Sequence, residues 1–347
     1  MISIIYIDDT ERWDSIVKSF DHYDVYYLSQ YAKAFQQIGE GQPLLFYYEN
    51  DTTKAMNVVM KRDIALSKPF KELLPQNEWF DISTPYGYGG FWIEGDDYSS
   101  LEKEYVELCT EKRFISEFIR FHLYSKYIDV FSGTIDCYTN NVVRSLDLNL
   151  SEMIMNFEHK VRKNVKTAKR LGLKIDIDET GKRLKEFLDI YYGTMERRDA
   201  GGYYFFPEDF FRTINEMHGN YVYIHAVYEN KIISTELVLY GKENGYSFLG
   251  GTISGYFHLR PNDFLKFEMM KWLKEKGINR FILGGGYGKD DGIFRYKKSF
   301  APNGVQKFYV GKRIFNREKY DYLMSLRGKE HNFSLNSEFF PQYRGSI

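Results

Sequence analysis

The fold is decided by residues 224 to 277. IHAVYEN (224–230) runs into KIISTELVLY (231–240), which reads as strand, turn and strand. Tyr246–Leu249 is a third apolar run, and GGTISG (250–255) a glycine-rich loop. LRPND (259–263) then opens a helix over 264–276, where Leu265, Met269, Trp272 and Leu273 recur at helical spacing. Gly277 stands where a C-cap glycine belongs, and Phe281–Leu283 is a further strand. Strand, strand, loop, helix, strand is the order of a mixed α/β sheet.

The same order occurs earlier in the chain. LLFYYEN (44–50) and KAMNVVM (54–60) form a hairpin and TPYGYGG (84–90) a glycine-rich loop. A helical stretch follows from about Tyr98 to Leu123, then a strand at Tyr127–Phe131. We read an internal duplication with its boundary near 148–158; chance similarity of two hairpins is the alternative. The expected division is a first domain at 1–150, a second at 151–330 and a tail at 331–347. Ile2–Ile7 and Val305–Val310, outside the repeat, read as strands, and so does Tyr221–Tyr228, which opens its second copy. Leu184, Leu188, Tyr191 and Met195 read as the apolar face of a helix.

A chain of 347 residues fits two domains, each large enough to bury its own core. With 18% aromatic and 43% hydrophobic residues it is not disordered. Two cysteines, Cys109 and Cys137, exclude a disulfide scaffold and a cysteine-based zinc cluster, and fit a reducing cytoplasm. Lys plus Arg is 47 and Asp plus Glu 48, so a generally basic nucleic-acid coat is excluded. No apolar run is long enough to span a membrane, and the start reads as a strand rather than a signal peptide. The expected location is the cytoplasm, with Tyr-rich surfaces able to touch a membrane interface.

Near-neutral charge conceals one basic helix. From His159 to Ile175 there is no acidic residue, while Lys160, Arg162, Lys163, Lys166, Lys169, Arg170 and Lys174 are all positive. Phe157, Val161, Val165 and Ala168 form its apolar stripe, and Gly172 ends it. A single-signed face suits phosphates, which makes Arg162 and Lys166 candidate donor contacts. A solvated surface is the alternative. Asn262 or Asp263 can cap the helix after Pro261, whose free N–H groups beside Arg260 make a second anion site; capping alone is the alternative.

GGGYG (284–288) is neither a Walker A loop nor a dinucleotide fingerprint, because Asp290 follows Lys289 and no glycine closes the motif. GIFRYKKSFAPN (292–303) places Lys297 on a short helix, where a cation can stabilise an oxyanion; a snorkelling lysine is the alternative. Glu236 lies inside an apolar strand. Burial would raise its pKa and suit a general base for an amine, or it is paired with an Arg or Lys. No nucleophile elbow and no His-Glu-x-x-His is present, and the seven His are scattered.

As a set these segments resemble the FemAB/FemX family and its BioF2-like acetyltransferase relatives in the GNAT superfamily. The resemblance rests on TPYGYGG, HKVRKNVKTAKRLG (159–172), YYGTMERRDAGGYYFFPEDFF (191–211), residues 248–277 and FRYKKSFAPN (294–303). It implies tandem GNAT-like domains, each a mixed sheet flanked by helices, and transfer of an acyl or aminoacyl group to an amine. Tyr296-Lys297 matches the family's aromatic-lysine pair, whose lysine stabilises the tetrahedral oxyanion. Two departures stand out. TISGYFHLRPND replaces the Q/R-x-x-G-x-G/A pyrophosphate loop of the CoA users. Phe206 and Phe210 stand where the peptidoglycan-precursor enzymes carry an arginine before a tyrosine.

The expected function is an N-acyltransferase moving an acyl group from acyl-CoA, acetyl-CoA for example, to an amine of a cell-envelope sugar or peptide precursor, lipid- or nucleotide-linked. One alternative is an aminoacyl-tRNA donor; another is a non-catalytic module binding glycans or nucleic acid. Catalysis is expected from Lys297, Tyr296 and Glu236, and donor binding from Arg260, Asn262, Asp263, Arg162 and Lys166. Aromatic acceptor contacts are expected from Tyr86, Tyr88, Tyr204, Phe206 and Tyr287, lining a cleft between the domains. No metal is expected.

Overall fold

A computed structural model describes residues 2–286, 288, 291–329, 333 and 339–345. From the N-terminus come β1 (Ile2–Tyr6), α1 (Thr10–Lys18), α2 (Ser29–Gln37), β2 (Gln42–Glu49) and β3 (Lys54–Asp63). Next are β4 (Phe80–Ser83), β5 (Trp92–Glu94), α3 (Leu101–Glu111), β6 (Phe114–Arg120) and β7 (Thr134–Ser145). α4 (Leu150–Met155), α5 (His159–Arg170), β8 (Lys174–Asp178), α6 (Leu184–Arg197) and α7 (Glu208–Ile214) follow. β9 (Tyr221–Tyr228), β10 (Lys231–Tyr240), β11 (Asn244–Thr252), α8 (Pro261–Glu275) and β12 (Arg280–Gly284) lead to α9 (Gly292–Lys298), β13 (Val305–Ile314) and α10 (Arg317–Arg327).

Two compact units result. One holds Met1–Phe20, Tyr26–Tyr138 and Phe308–Ile347, the other Asp21–Val25 and Thr139–Lys307. In the first the strand order is β1-β2-β3-β4-β6-β13, with β5 on β3; in the second it is β8-β9-β10-β11-β12-β7. Both are mixed sheets of the same plan. Antiparallel hairpins come first, one parallel pair follows (β4 with β6, β11 with β12), and an antiparallel strand closes the series.

That closing strand redraws the expected boundaries at 150 and 330. β7 follows the first unit in sequence but pairs with β12, and β13 follows the second but pairs with β6. Residues 139–150 therefore join the second unit and 308–330 the first. The end of the chain docks on the first unit, where Tyr343 and Arg344 both donate to the buried carboxylate of Asp81.

Two further expectations are corrected. The helical stretch over 98–123 is α3 followed by β6; Arg113, at φ 62°, breaks the helix before the strand-forming FISEFIR. The run 127–131 is not a strand but the end of a 3₁₀ turn at Lys126–Asp129, where the Ser125 hydroxyl accepts from the Tyr127 N–H at 3.1 Å. The other expected strands and helices stand where the periodicity puts them, except that Gly250–Thr252 of the expected GGTISG loop continue β11; β4, β5, β7 and β8 went unread. Gly172 and Gly277, both at positive φ, follow the last turns of α5 and α8.

In the second unit one core fills the sheet face beneath α5 and α8. Val161, Val165 and Ala168 pack there with Val222, Ile224, Phe264, Phe267 and Met270. Val222, Ile224 and Ala226 point to that face, so Tyr223 and His225 point to the other, where Phe187 of α6 packs edge-on against Tyr223.

Candidate active site

β11 and β12 pair in parallel only from Asn244–Tyr246 to Arg280–Ile282. Beyond Tyr246 the strands part, and Ser247–Thr252 keep a strand partner only on the β10 side. The register against β10 shifts there, since Leu237 faces Leu249 while Val238 faces Ser247, which makes Phe248 a bulge. A bulge at a diverging pair re-aims the backbone and leaves polar groups facing an opening. Gly250 and Gly251 keep this edge narrow. A side chain on Gly250 would meet the Thr235 carbonyl oxygen at 2.6 Å, and one on Gly251 the Ile190 carbonyl oxygen of α6 at 2.6 Å.

The first unit closes the equivalent place. There the TPYGYGG loop continues the parallel pair: Thr84 N–H donates to the Phe118 carbonyl at 3.0 Å and Gly89 N–H to the Arg120 carbonyl at 2.7 Å. Tyr88 is buried there, edge-on to Tyr26 at 5.4 Å and to His122 at 5.8 Å. Tyr86 is half-buried; its ring stacks on Phe35 and its carbonyl accepts from Tyr31. In the second unit Phe206 is also buried, stacked on Phe210 at 4.5 Å. Tyr88 and Phe206 thus sit among other rings, Tyr88 8% and Phe206 1% exposed. Tyr204 is half-buried beside exposed Tyr203 and Phe205. Tyr287 lies outside the described residues.

At the base of the opening the polar groups converge. Lys297 Nζ donates to the Gly285 carbonyl at 2.6 Å. Burial first, then the positive charge of Lys266, pushes this amine down to about 8, while Glu236 and Asp291 oppose the shift. The three glycines serve this packing. A side chain on Gly284 would stand 3.3 Å from Lys297 Nζ, one on Gly285 2.8 Å from the Asn140 carbonyl oxygen, and one on Gly286 would collide with Asp291. Asp291 caps α9 by accepting from Phe294 N–H at 2.7 Å.

Glu236 is paired, as one of the two sequence readings has it. Its Oε1 accepts from Lys266 Nζ and from Ser247 Oγ at 2.5 Å, and Lys266 Nζ also reaches Ser247 Oγ at 2.5 Å. Lys266 and Ser247 went unread in the sequence. The available signal was a lysine between Leu265 and Met269, inside the apolar stripe of α8. Tyr296 lies edge-on to Phe300, and burial, then the charges of Asp263 and Glu236, push its phenol well above the ordinary value.

α8 starts differently from expectation. Arg260, at φ 61°, takes the N-cap position without a side-chain cap, and Pro261 is the first helical residue. Asn262 accepts instead from Thr252 and Ser234, and Asp263 from Asn164 of α5 at 2.5 Å. Burial, the largest influence, raises the Asp263 carboxyl; Asn164, Lys160, Tyr296 and Arg260 pull it down. Lys160 and Asn164, one turn apart, are thus the α5 residues beside the α8 N-terminus. Arg162 and Lys166 lie with His159, Lys163, Thr167 and Arg170 along a different stripe, away from the buried one. Arg162 donates to the Met155 carbonyl at 2.8 Å.

His225, in the sheet, is a core residue. Its Nδ1 lies 2.7 Å from Thr235 Oγ1, and burial pushes it down to about 4. Among the described residues, no group of three or more His, Cys, Asp or Glu is placed to hold a metal ion.

Residues 155–298 match the family model of the acetyltransferase (GNAT) domain. No curated protein matches the chain. Among solved structures, FemX is 15% identical, with 92% of this chain and 99% of that chain covered and a TM-score of 0.67. A conserved protein of unknown function from Bacteroides thetaiotaomicron is 11% identical, with 90% and 99% covered and a TM-score of 0.57. The C-terminal domain of a putative lysylphosphatidylglycerol synthetase from Agrobacterium fabrum is 14% identical, with 92% and 95% covered and a TM-score of 0.54. At these identities the likeness is one of fold.

Proposed function

The chain is an acyltransferase with a GNAT domain at residues 155–298, and from that premise we propose that it moves an acyl group from acyl-CoA to an amine of a cell-envelope sugar or peptide precursor. The parting of β11 from β12 above Lys297 carries the proposal. An extended thioester can lie along Ser247–Thr252 and accept backbone hydrogen bonds there. Its phosphates then point toward Arg260, Lys160 and the N-terminus of α8.

The amine attacks the thioester carbonyl. A C–N bond forms, the carbonyl electrons move onto oxygen, and the Lys297 ammonium stabilises that oxyanion. Collapse breaks the C–S bond, and the thiolate leaves with the proton the amine gives up. Glu236 Oε1 already serves two donors, so its proposed part is to fix Lys266 rather than to take the proton. Tyr296, edge-on to Phe300, has the proposed part of keeping water out of this end of the site. The acceptor approaches past Tyr203, Tyr204 and Phe205.

A second reading, an aminoacyl-tRNA donor, is favoured by TISGYFHLRPND, which lacks the CoA pyrophosphate signature. Titration calorimetry with acetyl-CoA and with a charged tRNA separates the two. Saturable acetyl-CoA binding lost in Arg260→Ala supports the first. Binding of charged tRNA alone, falling steeply with salt, replaces it with the second. Absence of any acylated amine across both donors and a panel of amino-sugars and precursor peptides would sink the substrate assignment.

A further inference from the structure

The outward stripe of α5 has no place in the chemistry described above. It forms a shallow groove of about 370 Å³ lined by His159, Arg162, Lys163, Lys166, Thr167 and Arg170. These side chains lie on the face of α5 opposite the buried Val161, Val165 and Ala168. Lys169 is neutralised by Glu268 at 2.9 Å. Among the described residues, Lys163, Lys166 and Arg170 make no ion pair, and all three are exposed. From position 159 to 175 no carboxylate interrupts them; Glu158 at the N-cap is the nearest acid in sequence. Two apolar side chains near the ends of α5 face water, Met155 at the end of α4 and Leu171 at the C-cap of α5. Met155 is 66% exposed before the helix and Leu171 40% exposed after it.

We propose that this face docks the protein on an anionic bilayer surface. α5 would lie along the headgroups for its length of about 18 Å. Lys163, Lys166, Arg170 and Arg162 meet lipid phosphates, while Met155 and Leu171 enter the acyl boundary. Charge on a flat face would suit any polyanion, but exposed apolar residues at both ends favour lipid over nucleic acid. The proposal does not depend on the donor or the acceptor.

The test is sedimentation of the full chain with vesicles of phosphatidylcholine alone and of phosphatidylcholine with 30% phosphatidylglycerol (about 0.1 M and 0.5 M salt). Binding is expected to the anionic vesicles only, weakening at the higher salt. Lys163→Ala/Arg170→Ala should lower the partition coefficient about 25-fold, from about fivefold for each cation. Met155→Ser should lower it further and leave the salt dependence unchanged. Both variants touch only exposed side chains; circular dichroism and acyl transfer from a soluble donor to a soluble acceptor should match the parent. No partition at low salt, equal partition to neutral vesicles, or unchanged partition of the double variant each overturns the proposal. So does binding of a duplex RNA hairpin, lost in the double variant, with no vesicle binding.

Discussion

Lys297 Nζ is held by the carbonyl oxygen of Gly285 at 2.6 Å, so one backbone group fixes the amine at the base of the parted strands. That carbonyl occupies one of the amine's three protons and leaves two for other acceptors. Lys297→Ala should lower kcat on the order of 10²-fold, with little change in donor KM, in steady-state acyl transfer. A near-parental kcat removes Lys297 from the mechanism.

The same amine sets a pH limit. Its pKa lies near 8, below the usual lysine value, so the ammonium is present below about pH 8 and lost above it. The acceptor amine gives the opposite limb, because it attacks only when neutral. The profile of kcat/KM should therefore be a bell with its falling limb near pH 8. Lys297→Arg, whose charge persists, should abolish the falling limb even if the rate is low. A parental profile that still rises through pH 9.5 contradicts an ammonium role.

Glu236 and Lys266 are both buried and bonded to each other. Lys266→Met strands a carboxylate and should cost about 3–5 kcal/mol in urea denaturation. Lys266→Met with Glu236→Gln should recover part of that loss. If the double change costs as much as the two single changes together, the pair is not coupled.

Gly285→Ala would place a methyl group 2.8 Å from the Asn140 carbonyl oxygen. The backbone has to move, and the Gly285 carbonyl with it. The expected result is a kcat reduced at least tenfold, with the falling pH limb shifted as Lys297 loses its anchor. Unchanged kcat and limb would show that this carbonyl does not position the amine.

The first unit buries a different charge cluster. Arg313 reaches Glu102 at 2.7 Å and Glu117 at 3.5 Å, and Tyr105 donates to Glu117 at 2.5 Å. Burial pushes the Glu117 carboxyl up to about 7, against the opposing pull of Arg313 and Tyr105. Between roughly pH 4.5 and 7 the folded chain keeps a proton that the unfolded chain has lost. Stability from this group therefore falls as pH rises through that window, on the order of 3 kcal/mol in all. Glu117→Gln should flatten that slope in thermal melts at stepped pH. An identical slope in the variant would mean that Glu117 titrates normally.

Continuous apolar runs made β9 and β10 legible, because both faces of each are buried, and period-3.6 patterns made α5, α6 and α8 legible. Short or interrupted segments were not. β6 follows α3 after a single left-handed residue, Arg113, and no periodicity marks so abrupt a change. Lys297 was legible from its segment and Glu236 from its apolar strand. The burial of Tyr88 and Phe206 was not legible, because an aromatic beside glycines looks the same in sequence whether it lines a cleft or fills a core. Lys266 was hidden in an apolar stripe, since its neutralising carboxylate is thirty positions away.

By itself the sequence determined the longer strands and helices, the repeated hairpins, the basic helix and the lysine on α9. These follow from local periodicity and composition, which need no knowledge of distant neighbours. Only the tertiary structure decided where β11 parts from β12, that β7 and β13 each close the other half's sheet, and which α5 cations face the α8 N-terminus. Those outcomes depend on hydrogen-bond register and on contacts between residues far apart in the chain. No local pattern encodes them.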